Sequence, residues 1–252
     1  MDTIIGLLKK LVSTTIRNHS HSLLLSSRTS DFTTQIYPPL ELPGKRWTVG
    51  LLSLETYNSI PNITNKNNVF TYSTDSGETW KSLTLDIGSY EISHINSEIQ
   101  RLMRLNGDSG IEISINYHTL GSVVKITSPE YQVDFTVSNS LASTLGFGSV
   151  VLSQGYNISP NIVKILSVNS VLVNCSIVGN SYLNTSQFPV LYSFFPNVKP
   201  GYKVVQDPVN VVYLPVNSNQ IGSIRIWLTD QNGDLLDFRG ETITCRLSFK
   251  EI

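Results

Sequence analysis

Hydrophobic and polar positions alternate with a period of two along most of this chain, the signature of half-buried strands. Residues 31–37 alternate until Pro38-Pro39 interrupts them, and residues 46–57 (RWTVGLLSLETY) read as a long apolar strand. Residues 67–73 and 80–87 flank a turn, and 111–117, 122–127 and 131–137 follow with tight polar links. Later candidates are 163–168, 171–178, 190–194, 202–205, 211–215, 221–228 and 242–250. A strand about every ten residues, with Gly, Pro and Asn between, predicts a sandwich or barrel. Two stretches change period. Ile92, Ile95, Ile99, Leu102 and Met103 line one helical face within 89–106, with Ser93 placed to cap its start and Asn106-Gly107 to end it. Residues 138–145 predict a turn or two of helix. Such insertions in a β chain are expected to cover an open end of the sandwich. Residues 1–30 form a separate amphipathic segment in which Ile4, Ile5, Leu8, Leu11, Val12 and Ile16 recur at helical spacing among Lys9, Lys10, Ser13 and Arg17. A terminal helix on the domain, an arm docked on a neighbouring subunit and a transit peptide all fit that pattern. No tandem repeat supports a solenoid or a multi-blade propeller.

Composition sharpens the β reading. Ala142 is the only alanine in 252 residues, and Ala is the best helix former. A hydrophobic content of 40% with 15% charged residues excludes a disordered chain, and the length suits one large domain or two small ones. Eighteen basic residues face nineteen acidic ones, a net charge of −1, so the surface lacks the cationic excess that nucleic acid demands. No run approaches the roughly 18 apolar residues of a membrane span. Asp2, Lys9 and Lys10 spoil a secretory signal. Cys175 and Cys245 each sit in an apolar run and read as core thiols, a bridge between them staying open. N-x-S/T sequons begin at Asn18, Asn62, Asn157, Asn174 and Asn184; in a chain this rich in Asn, Ser and Thr about that many arise by chance.

Candidate chemistry is sparse. His19, His21, His94 and His118 lie near no G-x-S-x-G, C-x-x-C or H-E-x-x-H motif, and His19-x-His21 has no carboxylate or thiol at ligand spacing. There is no phosphate loop. The expectation is a protein that is not an enzyme and uses neither cofactor nor metal. DQNGDLLD, from Asp230 to Asp237, places Gly233 at the fourth position where an EF-hand needs it at the sixth, so it reads as an Asn-Gly turn. STDSGETW, from Ser73 to Trp80, matches the Asp-box pattern S-x-D-x-G-x-T-W of sialidases and related propellers. In that motif Asp and Ser brace a hairpin turn, Gly supplies an unusual backbone angle and Trp packs beneath. One copy predicts a hairpin, with a sialidase-like enzyme a distant reading because its arginine cluster is not recognisable.

Several segments, taken in order, carry a resemblance. They are DFTTQIYPPLELPGKRWTVGLLSLETYNSIPNIT at 31–64, LDIGSYEISHINSEIQRLM at 85–103, LASTLGFG at 141–148, and VVYLPVNSNQIGSIRIWLTDQNGDLLDFRGETITCRLSFKEI at 211–252. This set resembles the minor capsid (penton) proteins of Polinton/Maverick elements, adintoviruses and related virophage-like lineages. The resemblance covers about residues 31–252 and implies an all-β jelly-roll sandwich with extra strands or an inserted region and one or two short helices. It places 31–37 and 242–250 in one sheet. It also implies a homopentamer at icosahedral vertices, contacting a double-jelly-roll major capsid protein, located in the virion and assembled inside the host cell. Residues 1–30 are then a candidate arm into the surrounding capsid.

A second class stays open beside it. A lectin-like or receptor-binding sandwich uses the same fold, and reads its ligand with exposed aromatics next to carboxylates or amides. Trp47, Trp80 and Trp227 lie in or beside strand-like runs, which predicts core or sheet packing instead.

Overall fold

A computed structural model describes residues 20–44, 46–165 and 168–252. The helical pattern between Ile4 and Ile16, the Asn18 sequon and His19 lie outside them. The strands in chain order are β1 (Ser20–Ser27), β2 (Asp31–Glu41), β3 (Trp47–Tyr57), β4 (Val69–Ser73), β5 (Lys81–Thr84), β6 (Ile111–Asn116), β7 (Gly121–Ile126), β8 (Gln132–Asp134), β9 (Val151–Leu152) and β10 (Gly155–Ile158). They continue with β11 (Val171–Cys175), β12 (Tyr182–Leu183), β13 (Ser186–Gln187), β14 (Val190–Phe194), β15 (Lys203–Gln206), β16 (Leu214–Pro215), β17 (Gln220–Thr229) and β18 (Ile243–Glu251). Two helices, α1 (Ile92–Leu105) and α2 (Ala142–Leu145), interrupt them. The chain divides into two compact units, Met1–Asn58 with Ser170–Ile252, and Ser59–Asn169.

The first unit is a jelly roll. One sheet runs β1-β18-β3-β15 with β16 also on β3; the other runs β14-β11-β17-β2. Taking the eight long strands of this unit in chain order, the first pairs with the last (β1 with β18), the second with the seventh (β2 with β17), the third with the sixth (β3 with β15) and the fourth with the fifth (β11 with β14), all antiparallel. That nesting is one long hairpin rolled into two sheets, which is how a jelly roll hides most strand edges. Of the sandwich or barrel expected from the alternation, the sandwich that the resemblance implies is present.

One expectation fails here. Residues 31–37 and 242–250 do not share a sheet: β2 pairs with β17, and the partner of β18 is β1, from Ser20↔Lys250 to Ser27↔Ile243. The missing strand lies inside the stretch assigned to the N-terminal arm. SHSLLLSS carries three successive leucines and no alternation, so nothing local marks it as a strand, and only β18 beside it supplies the hydrogen-bonding partner. Residues 20–27 thus belong to the sandwich.

Register within β3 shows how packing overrides a strict period. Trp47, Val49 and Leu51 are buried, and after Leu52 the buried positions become Leu54 and Thr56. Arg246 pairs Ser53 while Leu247 pairs Leu51, so Leu52 is an extra residue that switches faces, as a bulge does. A larger bulge holds Pro38-Pro39: Ile221 pairs Leu40 while Ser223 pairs Gln35. The prolines, having no N–H to donate to the ladder, bow out with Tyr37 fully exposed, and β2 resumes beyond them.

The second unit carries two sheets, β5-β4-β8-β9 and β10-β7-β6, around its own core. Ile92, Ile95, Ile99 and Met103 of α1 enter that core with Phe70, Tyr72, Val124, Val133, Phe135 and Leu145. The helix is capped by Glu91, not Ser93; Ser93 is already helical, and its carbonyl accepts a bond from Ser97 Oγ. Its end follows from Asn106-Gly107. Gly107 takes φ +77, Gly107 N–H bonds Arg104 O and Asp108 N–H bonds Met103 O, a Schellman closure that needs the left-handed angle glycine tolerates. Between 138 and 145 only Ala142–Leu145 is helical. Val163–Ile165 and Val168 form no strand, and of 211–215 only Leu214–Pro215 pairs. The short β9, β10, β12 and β13 had no legible pattern.

Candidate functional surfaces

The Ser73–Trp80 segment forms the hairpin turn that its motif predicts. β4 and β5 pair from Val69↔Thr84 to Tyr72↔Lys81. Ser73 Oγ donates to Asp75 Oδ1 at 2.6 Å and accepts from Gly77 N–H at 2.9 Å. Asp75 takes Thr79 N–H at 2.8 Å and Thr79 Oγ1 at 2.5 Å. Gly77 has φ +91. Hydrogen bonds from Ser73 first, then Thr79, hold the Asp75 carboxyl down at about 2. A carboxylate so engaged is a brace and has little left to offer a ligand. Trp80, which the motif would bury, is 39% exposed.

Asp230 braces a second turn. Its Oδ1 accepts from Asn232 N–H at 2.8 Å and Asp234 N–H at 3.0 Å, and Gly233 turns at φ +92. The segment is a turn, and among the described residues no group of three or more His, Cys, Asp or Glu side chains is placed to hold a metal ion. The histidines are dispersed. His21 stacks on Trp47 with ring centroids 5.3 Å apart, His94 Nδ1 faces Glu91 N–H at 3.5 Å at the start of α1, and His118 N–H bonds Asn116 Oδ1 in a turn. Trp47 is buried with Nε1–H on Pro43 O at 2.7 Å. Trp227 is half-buried beneath the Arg225 guanidinium at 4.8 Å.

A polar cluster that sequence reasoning missed sits beyond the end of α1. The Schellman turn delivers Asp108 to the buried Tyr72, whose Oη donates to Asp108 Oδ2 at 2.6 Å. Lys81 Nζ meets the same oxygen at 2.7 Å, and Asn106 Nδ2 donates to Tyr72 Oη at 3.2 Å. Burial raises the Asp108 carboxyl, but the bonds from Lys81 and Tyr72 outweigh it and leave it below the usual range. Burial and the bond to Asp108 push the Tyr72 phenol up to about 12. Each group is satisfied by the others, so the cluster ties α1 to the β4–β5 hairpin.

Three surfaces carry exposed apolar side chains. In the first unit β14 and β15 end the two sheets on one side, β1 and β2 on the other. On β15 Val205 is exposed, with Tyr202 just before it, Tyr57 paired beside Lys203 and Phe195 just after β14; on β1 and β2 Leu24 and Tyr37 are exposed. In the second unit an open groove of about 590 Å³ runs between α1 and β6, lined by Ile92, Ile113, Ile115, Tyr117 and Ile165 with Ser93, Asn96 and Ser97. Asn96 Oδ1 accepts Ile113 N–H at 2.8 Å and Gln100 Nε2 donates to Ile111 O, so α1 itself satisfies much of the β6 edge. Among the described residues no helix is long and apolar enough to cross a membrane.

No family model matches the chain, and no curated protein does. Solved structures do. The chain is similar to the mavirus penton protein with a TM-score of 0.50 and 10% identity, over 94% of this chain and 100% of that one. It also matches a chain of the Sputnik virophage at a TM-score of 0.43 and 12% identity, over 92% and 97% of the two chains. The flagellar cap protein FliD of Escherichia coli, D2-D3 domains, gives only 0.23 at 13% identity. At this level of identity the mavirus likeness shows a shared fold along nearly the whole chain.

Proposed function

We propose that this chain is a structural protein of a virus or an endogenised viral element: a penton subunit that forms a homopentamer at icosahedral vertices and contacts a double-jelly-roll major capsid protein. The observation that carries the reading is the nested pairing of the first unit, with Ser59–Asn169 set into the chain between β3 and β11, in a fold shared over 94% of the chain with a penton protein. The chemistry agrees with a shell role. Asp75, Asp108 and the Arg225–Asp31, Arg101–Glu98 and Lys203–Glu55 pairs find their partners within the fold.

Five copies around one axis must meet through two different surfaces of each copy. The two lateral sides of the sandwich supply such a pair: Tyr202, Val205 and Phe195 on one, Leu24 and Tyr37 on the other. With a net charge of −1, copies carry little repulsion to overcome. The segment before Ser20 is the candidate arm into neighbouring capsid proteins. The virion is the expected location, with assembly inside the host cell.

Light scattering on the full-length protein after gel filtration tests the reading. A particle of five chains supports it, and a Tyr202→Glu/Val205→Glu double substitution is expected to release folded monomers. A monomeric wild type that binds glycans would replace it with the lectin-like reading, for which the exposed Trp80 is the feature to mutate first.

A further inference from the structure

The groove between α1 and β6 and the segment before Ser20 are chemically matched. Ile92 and Ile113 form the buried part of the groove, Ile115 and Ile165 are half-buried, and Tyr117 is exposed. Among the described residues Glu91 is its one charged lining residue, and the second unit as a whole carries more Asp and Glu than Lys and Arg. A volume of about 590 Å³ suits a few side chains rather than a folded domain. An added strand would need free hydrogen-bonding groups along β6, but Asn96 takes Ile113 N–H and Gln100 donates to Ile111 O. The groove therefore calls for an occupant whose own backbone is already satisfied, which is a helix.

Residues 3–19 supply one. They hold Lys9, Lys10 and Arg17 and no acid. Ile4, Leu8, Leu11 and Val12 fall at i, i+4, i+7 and i+8, the anchor pattern of a helix laid in an apolar groove, with Lys9 at the border of that face. A helix this short draws its stability from burying such a face. Only Arg17, Asn18 and His19 separate Ile16 from β1, a reach of ~10 Å. β1 is an edge strand, on the lateral side that faces the next copy in the proposed ring, so the segment is delivered to that neighbour. We infer that residues 4–16 of one copy dock as a helix in the α1–β6 groove of the neighbouring copy, with the Lys9 cation meeting the Glu91 carboxylate at its rim. Docking onto a neighbour rests on the pentamer proposed above.

The test uses the full-length chain with photoreactive benzoylphenylalanine in place of Leu8. Its assembled fraction is irradiated, separated by mass and digested, and light scattering on the unmodified chain gives the number of copies. The expected products contain two chains, with position 8 joined to residues between 91 and 117. The same probe in place of Lys10, on the opposite side of the helix, is expected to give none. Ser97→Arg sets a cation in the groove at an exposed position of α1 and is expected to cut the yield several-fold. Products within a single chain, adducts at any other surface, no adduct, or a yield that Ser97→Arg leaves unchanged would each overturn the docking. Where the particle still holds five chains, those results leave the pentamer standing, whereas a monomeric chain would overturn both.

Discussion

Tyr72 Oη donates a 2.6 Å hydrogen bond to Asp108 Oδ2, joining a fully buried strand residue to the last residue of the α1 closure. Because Lys81 shares the same oxygen, the contact fixes helix and hairpin together. Asp108→Asn keeps the shape but removes the charge facing Lys81, and is expected to cost about 1–2 kcal/mol in denaturant unfolding. Asp108→Ala leaves the Tyr72 hydroxyl unpaired and costs more.

The same cluster sets a pH dependence at both ends. Tyr72 has its pKa raised from 10.0 to about 12, so the folded state holds that proton more tightly. Its contribution is complete below pH 10 and is lost as pH rises through about 12. Asp108 lies below its ordinary value, so its contribution is present above the usual carboxylate range and lost as pH falls through the depressed value. Phenolate absorbance should show one tyrosine ionising late, together with unfolding, and Tyr72→Phe should remove that late component.

Gly50 marks a close approach. A Cβ there would lie 2.5 Å from Val211 Cγ1 and 2.9 Å from Val212 O, because the chain before β16 crosses the sheet there, with Tyr213 Oη on Ser248 Oγ at 3.3 Å and Lys250 over the Tyr213 ring at 4.3 Å. Gly50→Ala is expected to cost ~1–3 kcal/mol and to speed amide exchange through 211–213. Val211→Ala in the same chain should restore part of the loss, read as a double-mutant cycle.

Gly77 holds the Ser73–Trp80 turn at φ +91, and a Cβ would meet Gln132 Oε1 at 2.9 Å. Gly77→Val is expected to destabilise the β4–β5 hairpin, seen as faster exchange at Thr79 N–H. Asp75→Asn should leave the turn in place while abolishing the titration near 2. Loss of glycan binding or of any hydrolytic activity in either variant would contradict the bracing role.

Ile99→Ala removes a side chain with no exposure from the α1 face. A loss of about 2–5 kcal/mol is expected, with calorimetry separating its effect on the second unit from the melting of the sandwich. Leu105→Ala, on the exposed end of the same helix, should be near neutral.

The period of two along the chain, the single alanine and the helical face of Ile92, Ile95, Ile99 and Met103 were enough to determine an all-β fold, a sandwich or a barrel, with inserted helices. The two turns at Ser73–Trp80 and Asp230–Asp237 were equally legible, since Gly77, Gly233 and the flanking oxygen side chains act within a few residues. What only the tertiary structure decided involves partners far apart in sequence. Ser20–Ser27 becomes a strand because β18 lies beside it, and that displaces 31–37 into the opposite sheet. Leu52 becomes a bulge because β18 pairs Ser53 and Leu51 in succession. Asp108 becomes a linchpin because Tyr72, 36 residues earlier, faces it across the core. Trp80 stays half out where its motif would bury it. Local sequence specifies backbone angle and periodicity, whereas pairing register and the meeting of buried polar groups depend on long-range packing that no short window of residues contains.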